Sequence, residues 1–414
     1  MIPYMDISKC RICDSTELFD FMNLGHQYYT GVFPKTKEQI VPIGELKLQI
    51  CLNCKLVQLA ESFDKSAMYG SNYGYQSGLN DSMREHLNNI ADFLKQSITF
   101  SKGMTIVDIG SNDGTFLSFF QNMGINRIGI DPTISKFYQM YDKEIIKVPD
   151  FFNANAFNLI SKNRAKLITS ISMTYDLEDP VAFAKDINQC LEEDGYWFFE
   201  QSYLGLMIEK MAYDTVCHEH IEYYSAKSIS VILDTAGFVV QSFVLNETNG
   251  GSIAVLASKK SSINQNHSIG FLELLQNEMQ VGLNSTDYLL QFANDVSNHR
   301  DNLVDKVNSF IKKGNTVAAL GASTKGNVLL QYCGFSSLQI SLIGEINPDK
   351  FGSLTPGSNI PIVSEVDLFN SNPSVIIILP WHFKSTFLKK TEEFRKKGGI
   401  VLFPLPSIEL VSNS

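Results

Sequence analysis

Two pairs of cysteines with the same short spacing constrain the fold of this chain more than any other feature. The motifs are Cys10-x-x-Cys13 and Cys51-x-x-Cys54. That spacing lets both thiolates of a pair face one ion, and two pairs complete a tetrahedral shell of four sulfurs. We predict that Cys10, Cys13, Cys51 and Cys54 bind zinc; an iron centre or a redox dithiol is the alternative.

A shell of four protein thiolates predicts a structural role for this zinc. It leaves no coordination position for water or substrate, so the metal helps to fold a segment too small to stabilise itself. The other three cysteines, Cys190, Cys217 and Cys333, lack a paired spacing. We expect them to be buried apolar side chains.

The length and the charge of the chain limit what it can be. A chain of 414 residues, of which 44% are hydrophobic, exceeds the roughly 250–300 residues at which single cores stop growing, so we expect two or three domains. The net charge is −10, from 34 basic and 44 acidic residues. This balance argues against binding to nucleic acid or to an anionic membrane, but a small phosphorylated substrate can still be held locally.

The sequence predicts neither a signal peptide nor a membrane-spanning helix. The first six residues have no basic or apolar region typical of a signal peptide. No apolar run approaches the roughly 20 residues that span a bilayer. We therefore expect a cytoplasmic protein, and nothing in the sequence indicates a protein partner.

A strand, a glycine-containing loop and a second strand form the central motif. The strand Thr105–Ile109 leads into a loop over 110–114 and a helix over 115–123, and the strand 127–130 ends at Asp131, which lies 21 residues after Gly110. A carboxylate there can accept both ribose hydroxyls, and the acidic loop suits a ligand with a cationic tail better than a pyrophosphate. The third glycine of a dinucleotide fingerprint is absent. The predicted cofactor contacts are Asp108, Gly110, Asn112, Asp113, Gly114 and Asp131.

The segment 107–114 resembles motif I of the class I S-adenosylmethionine-dependent methyltransferases. The resemblance implies S-adenosylmethionine as cofactor and an α/β sheet of the Rossmann type. Apolar segments at 167–170 and 196–200 fit its fourth and fifth strands, and the helix between them, from Val181 to Leu191, follows Pro180.

A cluster of titratable residues follows the fifth predicted strand: His218, Glu219, His220 and Glu222, with Tyr224 close behind. A glutamate beside a histidine can orient its imidazole and raise its basicity, which favours a general base. The alternatives are a metal site, for which His-x-His supplies two ligands, and a structural polar cluster.

A second strand–loop–helix pattern lies near the C-terminus of the chain. Long helical stretches over 270–313 precede a strand over 316–320, the loop 321–326 and a helix; further strands at 339–343 and 375–379 and a helix over 383–397 complete a Rossmann-like domain. Lys325 is placed where a helix N-terminus can bind phosphate, and Trp381 follows a strand end, where such folds place ligands. A solvated lysine and a packing tryptophan are the alternatives.

Four features together are similar, over nearly the whole chain, to the nucleotide-sugar C-methyltransferases. They are the paired cysteines, motif I, the His218-Glu219-His220 run and the C-terminal segment 321–327. The resemblance implies a dTDP-linked 4-keto-6-deoxy sugar as substrate, removal of a proton next to the ketone, and methyl transfer to that carbon. It implies His220 as the base, Glu219 as its orienting group or a sugar contact, and Tyr75, from the aromatic loop 68–78, as an enolate or sugar contact. Lys325, Asn327, Tyr224 and Trp381 are the predicted substrate contacts.

Two positions depart from the pattern of that family. The resemblance implies tyrosine where this chain has Cys217, and histidine where it has Asp176. A same-fold enzyme that methylates oxygen or nitrogen, and a scaffold that binds the cofactor without turnover, therefore stay open. The predicted domains are 1–75 (zinc-binding), 76–265 (methyltransferase) and 266–414 (Rossmann-like, contributing to the sugar-nucleotide site).

Overall fold

A computed structural model describes residues 5–63, 75–262 and 268–412. The N-terminal unit is a small antiparallel sheet in which three strands are supplied locally and the fourth by a distant segment. Their order is β11-β4-β3-β2, so that β11 closes one edge by pairing with β4. A separate two-stranded pairing joins β1 to β5. The strands are β1 (Met5–Asp6), β2 (Leu18–Tyr28), β3 (Ile43–Cys51), β4 (Val57–Leu59), β5 (Glu61–Ser62) and β11 (Glu222–Tyr223).

The central unit is a seven-stranded sheet in the order β12-β13-β10-β9-β6-β7-β8. Five adjacent strands, β10, β9, β6, β7 and β8, are parallel, whereas β13 is antiparallel to both of its neighbours, β10 and β12. The strands are β6 (Thr105–Ile109), β7 (Asn126–Ile130), β8 (Ile145–Val148), β9 (Ala165–Ile171), β10 (Leu191–Ser202), β12 (Phe238–Asn246) and β13 (Ser252–Lys259).

The strand order reverses between β6 and its two neighbours, β7 and β9. In open α/β sheets ligands bind outside the carboxyl ends of the strands at such a point. The helices of this unit cover both faces of the sheet: Asp81–Ser97, Thr115–Ser118, Ile134–Phe137, Ala154–Ile160, Pro180–Cys190, Leu204–Glu209 and Ala226–Ala236.

Two helices of the central unit can be compared with the bounds predicted from the sequence. The helix after Asp179 begins at Pro180, and the Asp179 carboxylate accepts a hydrogen bond from the Ala182 amide at 2.7 Å, which caps its first turn. The helix predicted over 115–123 ends at Ser118 instead. Beyond it the amides of Phe120 and Gln121 bond three residues back, so the chain continues as tight turns.

The C-terminal unit is a six-stranded sheet in the order β16-β15-β14-β17-β18-β19, parallel except for β19. Its strands are β14 (Val317–Leu320), β15 (Ile343–Glu345), β16 (Ile362–Ser364), β17 (Val375–Ile378), β18 (Ile400–Phe403) and β19 (Glu409–Val411). Its helices are Thr286–Lys312, Thr324–Tyr332, Glu365–Asn370, Lys384–Lys390 and Glu392–Lys396. The helix Ile269–Val281 packs instead against Ala226–Ala236 and β12 of the central unit.

The bounds predicted for one strand and one helix of this C-terminal unit are wrong. A strand was expected from residue 339, but β15 begins at Ile343, because the Gln339 side chain accepts from the Ser336 amide and hydroxyl and closes a turn. The helix expected over 383–397 is divided at Thr391.

The predicted architecture, an α/β sheet flanked by a four-cysteine unit and a second Rossmann-like sheet, is confirmed. The domain boundaries stay a prediction: the one at 265/266 and most of the aromatic loop 68–78 lie outside the described residues. Within the described ranges, none of the helices combines the length and the apolar character needed to cross a bilayer.

Candidate active site

A cavity of about 510 Å³ opens at the carboxyl ends of β6, β7 and β9. This is the sheet edge where the strand order reverses. Of the predicted cofactor contacts, all but Gly114 line the cavity, and Tyr75 lines it as well; the lining predicted residues are Asp108, Gly110, Asn112, Asp113, Asp131 and Tyr75.

Asp131 holds the turn that forms the floor of this cavity. Its Oδ2 accepts from the Asn112 amide at 2.9 Å, and its Oδ1 accepts from the amide and the hydroxyl of Thr133, both at 2.6 Å. Because each carboxylate oxygen can accept more than one hydrogen bond, Asp131 can still receive a ribose hydroxyl. The position at the end of β7 is the one that the sequence predicts for a ribose-binding acid.

The glycines of the loop are required by its conformation. Gly110 and Gly114 have φ of +73° and +77°, in the left-handed region. A Cβ at Gly114 would lie 2.7 Å from the Tyr141 ring, so a side chain there would displace the ring. Gly114 therefore shapes the loop from behind and does not face the cavity.

Asp108 and Asp113 are the two carboxylates of motif I, and their environments differ. Burial raises the pKa of Asp108 to about 7, although its Oδ1 accepts from the Thr169 hydroxyl at 2.6 Å. Asp113 accepts from the amides of Gly78 at 2.8 Å and Thr115 at 3.1 Å. Asp113 thus ties the segment after Tyr75 to the cofactor loop.

Several cavity residues were not predicted from the sequence. They follow β8 and β9, whose carboxyl ends meet the same sheet edge, and a strand-end position was the only signal that could have found them. The main ones are Asp150, Phe151, Phe152, Met173, Leu177 and Glu178; Asp176, where the resemblance implies a histidine, lines the cavity as well.

The four paired cysteines lie together at the tips of two turns. Their sulfurs are all within 4.8 Å of one another, with Cys10 and Cys54 3.3 Å apart and Cys13 and Cys51 3.6 Å apart. Zinc–sulfur bonds in a tetrahedron require sulfur separations of about 3.8 Å, so the set fits zinc. The contact between the Cys10 and Cys54 sulfurs lowers the pKa of Cys10 and raises that of Cys54, so the pair favours one thiolate of the kind that a metal needs.

His220 is held as a neutral imidazole. Its Nδ1 lies 2.9 Å from the Thr215 carbonyl, which can only accept, so Nδ1 carries the proton and Nε2 the lone pair. Burial, followed by the nearby Lys325 charge, lowers the pKa of His220 to about 4. Its ring centre lies 4.2 Å from that of Tyr175.

Tyr175 connects His220 to the cofactor cavity. The Tyr175 carbonyl accepts from the Ile221 amide at 2.9 Å, and the next residue, Asp176, lines the cavity. Tyr175 and Asp176 therefore link His220, which does not itself line the cavity, to the residues around the predicted methyl-donor site.

Glu219 and His218 point to different surroundings. Glu219 accepts from the Thr30 hydroxyl at 3.3 Å, and burial raises its pKa. His218 is buried between the rings of Tyr29 and Phe63, at centroid distances of 4.6 and 4.8 Å. Within the described ranges, the histidine run is not part of any group of three or more close metal-binding side chains, so its metal alternative gains no support.

Lys325 and Trp381 enter this region from the C-terminal unit. The Lys325 ammonium donates to the Asn249 carbonyl, and Trp381 Nε1 donates to Asp214 Oδ2 at 2.7 Å. A Cβ at Gly250 would lie 3.3 Å from the Trp381 ring and 3.7 Å from Lys325 Nζ, so glycine lets both side chains approach. Burial lowers the pKa of Lys325.

The other two predicted substrate contacts are buried and hydrogen-bonded to the protein, although Asn327 Oδ1 has no hydrogen-bond partner among the described residues. Asn327 is fully buried and donates to the Thr30 carbonyl at 2.7 Å. The buried Tyr224 hydroxyl contacts the Thr174 carbonyl and the Glu222 carboxyl. The predicted base and five residues of its region are hereafter called the base cluster: His220 with Thr30, Thr215, Glu219, Lys325 and Trp381.

The sheet order, the acidic strand ends around one cavity and the zinc-fitting cysteines define an S-adenosylmethionine-dependent methyltransferase of class I with a structural zinc site. The chain matches a "Methyltransferase domain" family over 79–242, a zinc binding domain family over 10–69, and a "C-methyltransferase C-terminal domain" family over 247–406. The protein is thus a methyltransferase with the domain composition of the C-methyltransferases.

One curated relative matches almost the whole chain. C-methyltransferase NovU of Streptomyces niveus is 25% identical over 412 residues, which cover 98% of this chain and 97% of the relative. Among solved structures, mitomycin 7-O-methyltransferase MmcR overlaps 44% of this chain and 59% of its own (13% identity, TM-score 0.33). A methyltransferase from Aquifex aeolicus overlaps 42% and 97% (15% identity, TM-score 0.31). At these scores neither structure bears on the reaction.

Proposed function

We propose that the protein transfers a methyl group to the carbon next to a ketone in a nucleotide-linked sugar, C3 of a dTDP-linked 4-keto-6-deoxy sugar in the simplest case. The observation that carries the proposal is the neutral His220, whose proton on Nδ1 faces the Thr215 carbonyl. Methylation of carbon requires a base, because the carbon must first lose a proton. The match to a C-methyltransferase C-terminal domain supports the same reaction.

His220 would remove the C3 proton through Nε2, and the electron pair of the broken C–H bond would move to the C4 oxygen as an enolate. S-adenosylmethionine, when bound, supplies the methyl group from its sulfonium. Asp108, Asn112 and Asp131 would hold this cofactor at the cavity, and Asp113 would position Tyr75 beside it through Gly78.

The environment of His220 keeps the base unprotonated, although a pKa well below neutral also makes it a weaker base than an ordinary histidine. A pKa of about 4 keeps His220 deprotonated at neutral pH, so the ring is ready to accept a proton. Glu219, which Thr30 holds in place, would orient the sugar or the imidazolium that forms.

The substrate anion would be bound from the C-terminal side. Lys325, in the first turn of the helix Thr324–Tyr332, supplies positive charge to the pyrophosphate, and Trp381 lines the sugar-nucleotide site beside it. Asn327 and Tyr224 would support the site from behind, since both hold backbone carbonyls of neighbouring segments.

The test is a screen of dTDP-, GDP- and CDP-linked 4-keto sugars for release of S-adenosylhomocysteine, followed by NMR of the product. A new methyl singlet on a quaternary carbon supports the proposal. A methoxy or N-methyl signal shows the same-fold alternative, which Cys217 and Asp176 prompt. Tight cofactor binding with no turnover of any keto sugar supports the scaffold alternative and rejects the proposal.

A further inference from the structure

Arg11 lies between two of the zinc-fitting cysteines, yet its side chain serves other segments. The guanidinium is 3% exposed. It donates to the carbonyls of Leu59 at 2.9 Å and Glu61 at 3.0 Å, to the Ser62 hydroxyl at 3.0 Å, and to Glu178 Oε2 at 3.2 Å. The guanidinium, a rigid group with five N–H donors, therefore binds partners on several sides at once.

One arm of the guanidinium reaches the residue that follows the predicted base. The Ile221 carbonyl accepts from the Leu59 amide at 2.9 Å and lies 3.5 Å from an Arg11 nitrogen. The Ile221 amide donates to Tyr175, whose ring contacts His220. Both polar groups of Ile221 are thus held, one by the N-terminal unit and one by the segment beside the cofactor cavity.

The other arm reaches the rim of the cofactor cavity. Glu178 lines that cavity, and its Oε2 accepts from both the Arg11 Nε and the Ser62 hydroxyl, the latter at 2.8 Å. Because this carboxylate is partly exposed, the bond alone would contribute little. Together with the buried carbonyl contacts it fixes the rim relative to the cysteine turn.

We propose that Arg11 is a positioning residue that couples the zinc site to the catalytic base and to the cofactor rim; the catalytic part of this inference rests on the proposed function. The zinc-fitting turn fixes the backbone of residue 11, and the guanidinium passes this constraint to Ile221 and Glu178. The zinc site thereby acts on the reaction although it has no open coordination position.

The test compares Arg11→Lys with Arg127→Lys. Arg127 is a matched control, because its guanidinium is also buried and also binds several partners, but near the start of β7, away from the cavity. These partners are the Leu117 carbonyl at 3.3 Å and the carboxylates of Asp142 at 2.9 Å and Glu144 at 3.1 Å. The measurements are bound zinc, thermal unfolding, kcat and KM, and the rate at which diethyl pyrocarbonate labels His220, read by mass spectrometry.

Lysine at position 11 keeps the charge but offers its donors from one point. We expect wild-type zinc content, a kcat lower by about tenfold with KM little changed, and faster labelling of His220 as its segment loosens. Arg127→Lys should lower the unfolding temperature and leave kcat and labelling unchanged. Wild-type kcat and labelling in Arg11→Lys, or equal losses in the two variants, would overturn the proposal.

A second variant covers the case in which Arg11→Lys does not fold. Glu178→Gln removes a partly exposed charge and should speed His220 labelling in the same direction by a smaller factor. If the Arg11 variant is unfolded and Glu178→Gln labels like the wild type, the coupling is rejected. Labelling and zinc content need no substrate, so they judge Arg11 even if every keto sugar fails and the proposed function falls.

Discussion

The cofactor cavity and the base cluster differ in how far apart their residues lie in the chain. The cavity is lined by residues between 75 and 186, which lie at strand ends of one sheet and on the helices and loops beside them. The base cluster runs from Thr30 to Trp381 and draws on all three sheets. A site on one sheet edge can persist when its neighbours are disturbed, whereas a site shared among three units depends on each of them.

The largest effect should come from removing a zinc ligand, which separates the two regions most clearly. Cys51→Ser leaves three thiolates, so we expect loss of the metal and local unfolding of the N-terminal unit, with turnover abolished. The cavity, built from the central sheet, should still bind S-adenosylhomocysteine in calorimetry. A zinc-free variant that stays soluble and active would show that the base cluster does not need the N-terminal unit.

Removal of the base should affect the base cluster alone. In His220→Ala we expect turnover to fall by at least the roughly 100-fold typical of a lost general base. Cofactor affinity, measured by the same calorimetry, should be unchanged. Turnover at the wild-type rate in this variant would place the base on another residue.

The complementary change acts on the cavity. Asp131→Asn keeps the shape of the side chain but removes the charge that accepts from Asn112 and Thr133. We expect cofactor affinity to weaken by about tenfold, from the loss of charge-assisted hydrogen bonds, with kcat at saturating cofactor near that of the wild type. A fall in kcat as large as that of His220→Ala would mean that the two regions are not separable.

The smallest effect should be that of mild acid on turnover. Because burial and Lys325 lower the pKa of His220 to about 4, the ring stays unprotonated, and kcat at saturating cofactor should change by less than about twofold from pH 7 to 6. Saturation is needed because the pKa of Asp108, about 7, falls in the same interval and would change cofactor binding. An unperturbed histidine, with a pKa of about 6.5, would lose most of its basic form over that interval. An acid limb centred near 6.5 would contradict the buried neutral base.

The same shift makes stability depend on pH. The unfolded chain binds protons at histidines below about pH 6.5, whereas folded His218 and His220 resist protonation until about 4. Stability from these groups is therefore fully present above 6.5 and is lost as the pH falls towards 4. Circular dichroism across this range distinguishes unfolding from titration of the base.

The sequence was most informative where a residue's surroundings are local. Asp108, Gly110 and Asp131 could be assigned because strand–loop–strand spacing alone brings them to one edge. Asn327 could not: its link to Thr30 joins residues far apart in the chain, and its complete burial depends on how two units pack. Cavity residues after β8 and β9, such as Asp150, were missed because no spacing marks them.

His220 was found by its sequence neighbours, but the reason that it can act as a base was not. Its tautomer is set by the Thr215 carbonyl, and its pKa by burial and by Lys325 from another sheet. Arg11 shows the same limit, since its position between Cys10 and Cys13 gives no sign of a contact with Ile221 or Glu178.

The pairing of β11 with β4 determines how this protein can be divided and recombined. Glu222 and Tyr223 complete the edge of the N-terminal sheet, opposite Gln58 and Val57. A fragment that ended at residue 75 would expose the β4 edge to other chains. An exchange of the zinc-binding unit between relatives therefore has to carry a matching strand from the methyltransferase segment, so the two can diversify only together.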